Sequence, residues 1–122
     1  MEWNFRNDQP IHSQLTQRLT EAIVSGIYAP GEKLPSVREL ALEAGVNPNT
    51  VQRALTELER EGLVFSQRTA GRFVTENENM IVNAKLRIAD ERVSEFLRSM
   101  KTLGCGRQEI ISLIEGAKED EE

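Results

Sequence analysis

The chain is poor in the residues from which disulfides and metal sites are built. It contains one cysteine, Cys105, and one histidine, His12, in 122 residues. A single cysteine cannot form a disulfide within the chain, and a Cys/His metal site needs several such ligands. The sequence therefore predicts a fold without an internal disulfide, a bound metal or another cofactor.

Long hydrophobic runs are missing as well. No stretch approaches the ~20 consecutive apolar residues that a membrane-spanning helix needs. Residues 1–6 lack the charged and then apolar pattern of a secretory signal peptide. We therefore expect a cytoplasmic protein that has no membrane partner.

The chain has no overall excess of positive charge. Its net charge is −5, which taken alone argues against a nucleic-acid partner. Residues 1–75 hold 8 basic and 9 acidic side chains, however, whereas residues 76–122 hold 7 basic and 11 acidic ones. The acidic excess thus lies mostly near the end of the chain. Because a DNA-binding surface needs only a local cluster of Arg and Lys, the net charge does not exclude DNA.

A set of catalytic groups is also missing. His12 stands alone, which is more typical of a surface residue than of a general base. Cys105 lies between two glycines, without a nearby histidine or basic residue that would activate its thiol. No glycine-rich loop of the kind that cradles phosphates is present. These absences argue against an enzyme.

Two short helices joined by a tight turn are the clearest pattern in the chain. Ser36 stands before Glu39 at the spacing of a capping box, and Gly45 follows where a left-handed residue ends a helix. Asn47 is a good N-cap for the next helix, and Pro48 suits its first position. With periodic apolar residues in both segments, this spacing predicts a helix-turn-helix.

A helix precedes this pair and a hairpin follows it. Regularly spaced apolar residues within 11–23 place one face of the first helix against a core. Residues 63–67 and 72–75 favour two strands joined by a short turn. A two-stranded hairpin directly after a helix-turn-helix is a wing. Residues 1–76 are therefore predicted to form a winged helix-turn-helix DNA-binding domain with three helices and a two-stranded wing.

Residues 77–122 are predicted to form a two-helix dimerisation segment. After a polar linker at 76–80, a long amphipathic helix ends near Gly104, and a short helix follows. An apolar seam with alternating spacings of four and three lies on the long helix: Val82, Leu86, Ala89, Val93, Phe96, Met100 and Leu103. The short helix covers only part of this seam, so we expect a second copy of the chain to cover the rest. The alternative is that the long helix folds back on the first helix.

Four motifs carry a family resemblance: PIHSQ at 10–14, GIYAPGEKLPSVRELA at 26–41, VNPNTVQRA at 46–54 and ELEREGL at 57–63. The first two resemble the GntR superfamily of regulators, and the last two resemble its YtrA-type subfamily. That subfamily has a short two-helix C-terminal segment, which matches residues 80–118 in length. The resemblance implies a homodimer that represses transcription at an inverted-repeat operator in double-stranded DNA, often near transporter genes. It names no effector. Thr69 stands where relatives usually have the first glycine of the wing turn.

The second helix of a helix-turn-helix enters the major groove by its N-terminal end. In this chain that end carries side chains able to pair with base edges or phosphates: Asn47, Asn49, Thr50, Gln52 and Arg53. The alternative for Asn47 is a helix cap alone. The alternative for Arg53 is a solvated or ion-paired side chain.

Further contacts are expected from the preceding helix and from the wing. The resemblance implies that Arg38 reaches a phosphate or a base, and its alternative is a salt bridge with a neighbouring glutamate. Ser36 is expected to be both a cap and a neighbour of a phosphate, and Lys33 is a further phosphate candidate. The wing turn, where Arg can enter the minor groove, carries the last candidates: Arg68, Thr69 and Arg72.

Three classes of function are compatible with these sequence features. The motifs favour a DNA-binding regulator. A protein-interaction module that uses the winged helix without DNA is the first rival, and an enzyme is the second. The interaction module predicts that the polar residues of the second helix and wing are dispensable: Asn49, Thr50, Gln52 and Arg68.

Overall fold

The structure is a computed structural model that describes residue 1 and residues 3–118. The acidic residues 119–122 lie outside the described residues. In the described part, none of the helices is long and apolar enough to cross a membrane. Five helices and two strands follow in the order: α1 (Ile11–Val24), α2 (Val37–Ala44), α3 (Pro48–Arg60), β1 (Val64–Gln67), β2 (Gly71–Val74), α4 (Glu78–Thr102) and α5 (Arg107–Gly116). The predicted fold, a winged helix-turn-helix followed by two helices, is confirmed.

The core forms where α1 packs against α3 and α2 packs across α3. Its largest side chains are at most 1% exposed: Leu15, Leu19, Ile23, Leu40, Val51, Leu55, Leu58 and Leu63. Burying one such side chain stabilises a fold by about 1.5–3 kcal/mol. Because helices as short as α2 are marginal in isolation, this shared core holds them in place.

The turn between α2 and α3 has the caps that the sequence predicts. The Ser36 hydroxyl accepts a hydrogen bond from the Glu39 backbone N–H at 3.1 Å, and the Glu39 carboxylate accepts one from the Ser36 N–H at 2.9 Å. Gly45 is left-handed, with φ 69°. The Asn47 side-chain oxygen accepts a hydrogen bond from the Asn49 N–H at 2.7 Å. These bonds satisfy helix-end groups and fix how α3 begins.

The wing is tied by its backbone to the segment that leads into α2. β1 and β2 pair as an antiparallel hairpin, and Lys33 forms a bridge with Phe73 of β2. The Leu34 N–H donates to the Arg72 carbonyl at 2.8 Å, and the Leu34 side chain is buried in the core. The start of α2 and the base of the wing are therefore adjacent.

The long helix α4 begins at Glu78, so the prediction of a linker over residues 76–80 is wrong for its last three residues. The Asn77 side-chain oxygen accepts a hydrogen bond from the Met80 N–H at 3.3 Å, which is the bond of an N-cap. The Met80 side chain packs over Gly62, and Ile81 packs against the core. The polar residues within 76–80 favoured a linker, but apolar contacts of Met80 and Ile81 anchor the start of a helix there.

The chain divides into two compact units, Met1–Leu86 and Arg87–Glu122. In the first unit, Ala84 of α4 is buried in the same core as α1 and α3. The compact unit reaches Leu86 because the first turns of α4 complete that core. The predicted domain boundary at residue 76 stays a prediction about where the DNA-binding part ends. In the second unit, Ile110 of α5 is buried.

Two leucines of α2 test this core. Leu40 is fully buried, whereas Leu42 is 79% exposed. Leu40→Ala should lower the free energy of unfolding by about 2–5 kcal/mol, because it leaves a cavity. Leu42→Ala, the matched control on the same helix, should change it by no more than about 0.5 kcal/mol. Urea denaturation measures both, and equal losses would contradict the packing described.

Candidate nucleic-acid interface

The first turns of α3 form the centre of the candidate interface. One face of this helix is buried: Val51, Ala54, Leu55 and Leu58. On the other side, Asn49, Gln52 and Arg53 are exposed, and Thr50 is half-buried. Amide and guanidinium groups can form paired hydrogen bonds with the edges of adenine and guanine. The helix thus presents a polar surface of the chemistry that base recognition needs.

Asn47 stands at the point where the turn becomes α3. The hydrogen bond from the Asn49 N–H confirms its role as a cap. Its side-chain oxygen is committed to that bond, and the residue itself is exposed. A DNA contact by Asn47 stays a prediction.

Two guanidinium groups of the helix-turn-helix face solvent. Arg38 lies in the first turn of α2 and Arg53 in α3, and both are exposed. Among the residues that the structure describes, neither forms an ion pair. The salt bridges that were the alternative for these residues are therefore not formed there, and solvation without a DNA contact remains the alternative for Arg53. Both guanidinium groups can bind a phosphate or a guanine without first breaking an ion pair with a carboxylate.

Glu59, near the end of α3, holds the wing. Its Oε1 accepts hydrogen bonds from the Ser66 hydroxyl and from Nε of Arg72, each at 2.6 Å. Ser66 and Arg72 are paired across the two strands, so one carboxylate can accept hydrogen bonds from both side chains. The structure thus gives Arg72, which is only 21% exposed, a partner within the protein. A DNA contact by the same side chain stays a prediction.

The hydrogen bonds to two glutamates favour their charged forms. The Ser66 hydroxyl and, after it, the Arg72 guanidinium lower the pKa of Glu59, although partial burial opposes them. The backbone N–H and the hydroxyl of Ser36 lower the pKa of Glu39 in the same way. Both carboxylates are therefore charged at neutral pH. The contacts of Glu59 with Ser66 and Arg72, which we call the wing clamp, and the capping box of Ser36 and Glu39 are fully formed at that pH.

The tip of the wing contains one strained residue. Thr69 has φ 62°, a left-handed conformation that β-branched residues rarely adopt. Its hydroxyl donates to the Arg68 carbonyl at 2.6 Å, and the Ala70 N–H closes the turn on the Gln67 carbonyl at 3.1 Å. The position does need positive φ, and here it carries a side chain instead of a glycine. Arg68 beside it is exposed.

Sequence reasoning missed the role of Glu59. Helical periodicity places it beside the buried Leu58, and nothing in that pattern separates it from other surface glutamates. The register of the hairpin, which sets Ser66 against Arg72, is the signal that would have indicated a shared partner. That register depends on the turn at residues 68–70, where Thr69 replaces the glycine that relatives usually have.

Metal ligands and the thiol of Cys105 are the groups outside the α3 surface that could carry chemistry. In the described residues, no group of three His, Cys, Asp or Glu side chains is placed to hold a metal ion. Desolvation and the nearby Glu109 raise the pKa of the Cys105 thiol, which keeps it protonated and poorly nucleophilic.

Residues 11–74, from the start of α1 to the end of β2, match the family described as bacterial regulatory proteins, gntR family. The chain belongs to the GntR family. The GntR relatives and structures described next are transcription regulators, not enzymes, as the missing catalytic groups led us to expect.

Two relatives in Bacillus subtilis (strain 168) extend this GntR match. The uncharacterized HTH-type transcriptional regulator YhcF is 36% identical over 118 residues, which cover 97% of this chain and 95% of YhcF. The HTH-type transcriptional repressor YtrA is 41% identical over 93 residues, which cover 75% of this chain and 72% of YtrA. The resemblance to YtrA-type GntR regulators is thereby confirmed.

Solved GntR-type structures are similar as well. A GntR family transcriptional regulator from Listeria monocytogenes has a TM-score of 0.88 and 35% identity, covering 93% of this chain and 100% of its own. AraR(DBD), in complex with operator ORE1, has a TM-score of 0.54 and 26% identity, covering 62% of this chain and 94% of its own. The second comparison relates this fold to a domain bound to its operator.

The clamp at Glu59 predicts a pH-dependent contribution to stability. Glu59→Gln should lower the free energy of unfolding at pH 7 by about 1 kcal/mol, because it removes the ion pair with Arg72. The folded-state pKa of Glu59 lies below its ordinary value of 4.5. The stabilisation is therefore complete above that value and is lost as the pH falls through the lowered pKa.

Urea denaturation from pH 7 down to about pH 3 measures this difference. The gap between wild type and Glu59→Gln should close as the pH falls. Glu61→Gln, at an exposed neighbouring position, controls for the loss of one negative charge. A gap that stays constant over the whole range would show that the carboxylate does not act through its charge.

Proposed function

We propose that this GntR regulator is a homodimeric, sequence-specific repressor that reads an inverted-repeat operator in double-stranded DNA. The observation that carries the proposal is the capped start of α3, with one face buried and the other polar and exposed. A helix held in this way presents its first side chains to a major groove without rearrangement. AraR(DBD), a similar fold in complex with its operator, supports DNA as the partner.

Two kinds of contact divide the candidate residues in this proposal. Those on α3 and at its cap read base edges in the major groove: Asn47, Asn49, Thr50, Gln52 and Arg53. Those at the start of α2 and on the wing contact phosphates or the minor groove: Ser36, Arg38, Arg68, Thr69 and Arg72. The first set gives sequence preference, and the second gives register and salt-dependent affinity.

An exposed apolar stripe on α4 supports the homodimer. It consists of the residues of the predicted seam: Val82, Leu86, Ala89, Val93, Phe96, Met100 and Leu103. All are exposed except the half-buried Met100, and Leu86 is 60% and Phe96 40% exposed. Monomers rarely leave a contiguous apolar stripe in water. A second copy of the chain, related by a two-fold axis, is the occupant that we propose.

Burial of the stripe against α1 is the alternative to a dimer. The beginning of α4 argues against it, because Val82 and Leu86 stay exposed while Ala84 between them enters the core. Over its first turns, up to Leu86, α4 therefore meets the winged helix with a different face. A two-fold dimer would also set two α3 helices about one DNA turn, ~34 Å, or a multiple of it apart, as an inverted repeat requires.

We further place the chain in the cytoplasm, with its operator near the genes of a transporter. The relative YtrA is a repressor by name, and the resemblance to its subfamily supports both repression and a transporter target. Sequencing of the neighbouring genes tests the target. An operon without a membrane transporter would remove this part of the proposal.

Base recognition by α3 predicts a selective loss of affinity. Asn49→Ala or Gln52→Ala should cost about 1–3 kcal/mol on operator DNA and much less on random DNA, because an amide paired with a base edge is lost. A gel shift with the promoter of its own operon and a scrambled duplex measures both. Asn83→Ala, an exposed amide on α4, is the control. Equal losses on the two DNAs would show that these residues do not read sequence, and no loss on either DNA would favour a protein-interaction module instead.

The proposed dimer predicts that a charge placed in the apolar stripe of α4 changes the oligomeric state. Phe96→Glu should give monomers with a folded winged helix and weak non-specific DNA binding but without tight operator binding. Ser94→Glu adds the same charge to a polar face of α4, beside Arg87 and Asp90, and should stay dimeric. Analytical ultracentrifugation without DNA measures both. A wild type that is monomeric at micromolar concentration would refute the dimer.

A further inference from the structure

A cleft of about 270 Å³ lies between the wing turn and the start of α2. One wall consists of residues 33–37 with Glu39, and the other of residues 69–72. The bridge between Lys33 and Phe73 joins these walls through backbone hydrogen bonds. The cleft is therefore built into the fold of the winged helix.

The Lys33 side chain lies across the base of the wing turn. Gly71 has φ 110°, and a Cβ added there would lie 3.0 Å from Cε and 3.8 Å from Nζ of Lys33. The missing side chain at Gly71 leaves room for the aliphatic stem of the lysine. The stem packs on the wing while the ammonium group stays in water, as is usual for long cationic side chains. Lys33 thus places its charge at the lining of the cleft, next to Gly71.

Three charged side chains line the cleft: Lys33, Glu39 and Arg72. Arg72 is paired with Glu59, and the Glu39 carboxylate accepts the hydrogen bond that completes the capping box. The Lys33 charge contributes to the lowered pKa of Glu39 from a distance. In the part of the chain that the structure describes, no carboxylate forms an ion pair with Lys33. Its ammonium can therefore bind an external anion directly, whereas Arg72 would have to do so while paired with Glu59.

We propose that this cleft binds a backbone phosphate of DNA through the Lys33 ammonium group, at the junction of the wing and the helix-turn-helix. This proposal rests on the proposed function, because the cleft lies between two surfaces that we expect to meet the duplex. A phosphodiester carries one negative charge, which matches one ammonium. The Glu39 carboxylate, which lines the same wall of the cleft as Lys33, repels anions of higher charge more strongly than a singly charged phosphodiester. The contact is independent of sequence and fixes the position of the wing on the DNA.

Lys33→Met tests this assignment, because methionine keeps much of the apolar stem over Gly71 and removes the charge. Fluorescence anisotropy with a random duplex of about 30 base pairs, roughly three turns, gives the affinity of the full chain over a range of salt concentrations. The slope of log K against log salt should become shallower by about one per bound chain. At ~0.1 M salt the affinity should fall roughly tenfold. Lys118→Met, which removes an exposed lysine beyond α5, should leave both unchanged.

A second measurement uses the wild-type chain and does not depend on a variant that folds. Acetylation of lysines, read by mass spectrometry, should show Lys33 protected by the duplex and Lys118 equally reactive with and without it. A wild type that binds the duplex, together with an unchanged salt slope for Lys33→Met or an unprotected Lys33, would overturn the cleft assignment alone. A wild type that binds no duplex would overturn the proposed function and the cleft with it.

Discussion

The packing of α1 against one face of α3 determines which side chains this protein can offer to a partner. Val51 and Leu55 are held in the core by that contact, and they fix the rotation of α3 about its own axis. Asn49 and Gln52 must then point away from the core. Because helical geometry leaves no other arrangement, the recognition surface is a consequence of how the core is filled.

Local electrostatics matter more here than the net charge of −5. Two glutamates of the winged helix serve its structure: Glu39 closes a capping box, and Glu59 clamps both strands of the wing. Their charges are used within the protein, while Arg38 and Arg53 remain exposed without ion pairs among the described residues. A chain that is acidic overall can thus still present a cationic surface to DNA.

Features with a local physical cause were predictable from the sequence. The capping box of Ser36, the left-handed Gly45 and the cap of Asn47 each depend on a few neighbouring residues, and each is confirmed. The start of α4 has a local cap at Asn77. It was mispredicted because the apolar contacts that anchor it, Met80 over Gly62 and Ile81 in the core, join segments that are distant in the sequence.

The residues of the candidate site likewise divide into those with a local cause and those that depend on contacts between distant segments. The exposed residues of α3 follow from helical periodicity, which is a local property. The hydrogen bonds of Glu59 to both strands of the wing depend on strand register. The packing of the Lys33 side chain over Gly71 depends on a backbone bridge between distant segments. Neither relation has a signature in the spacing of residues along the chain, so both required the three-dimensional structure.

In vitro selection of binding sites from random double-stranded DNA, with the full chain, tests the central claim most directly. A dimer that reads DNA with two α3 helices should enrich two copies of one short motif in inverted orientation. Their centres should lie about one DNA turn, ~10 base pairs, or a multiple of it apart. Enrichment of no motif, or of a single unpaired motif, would contradict the account.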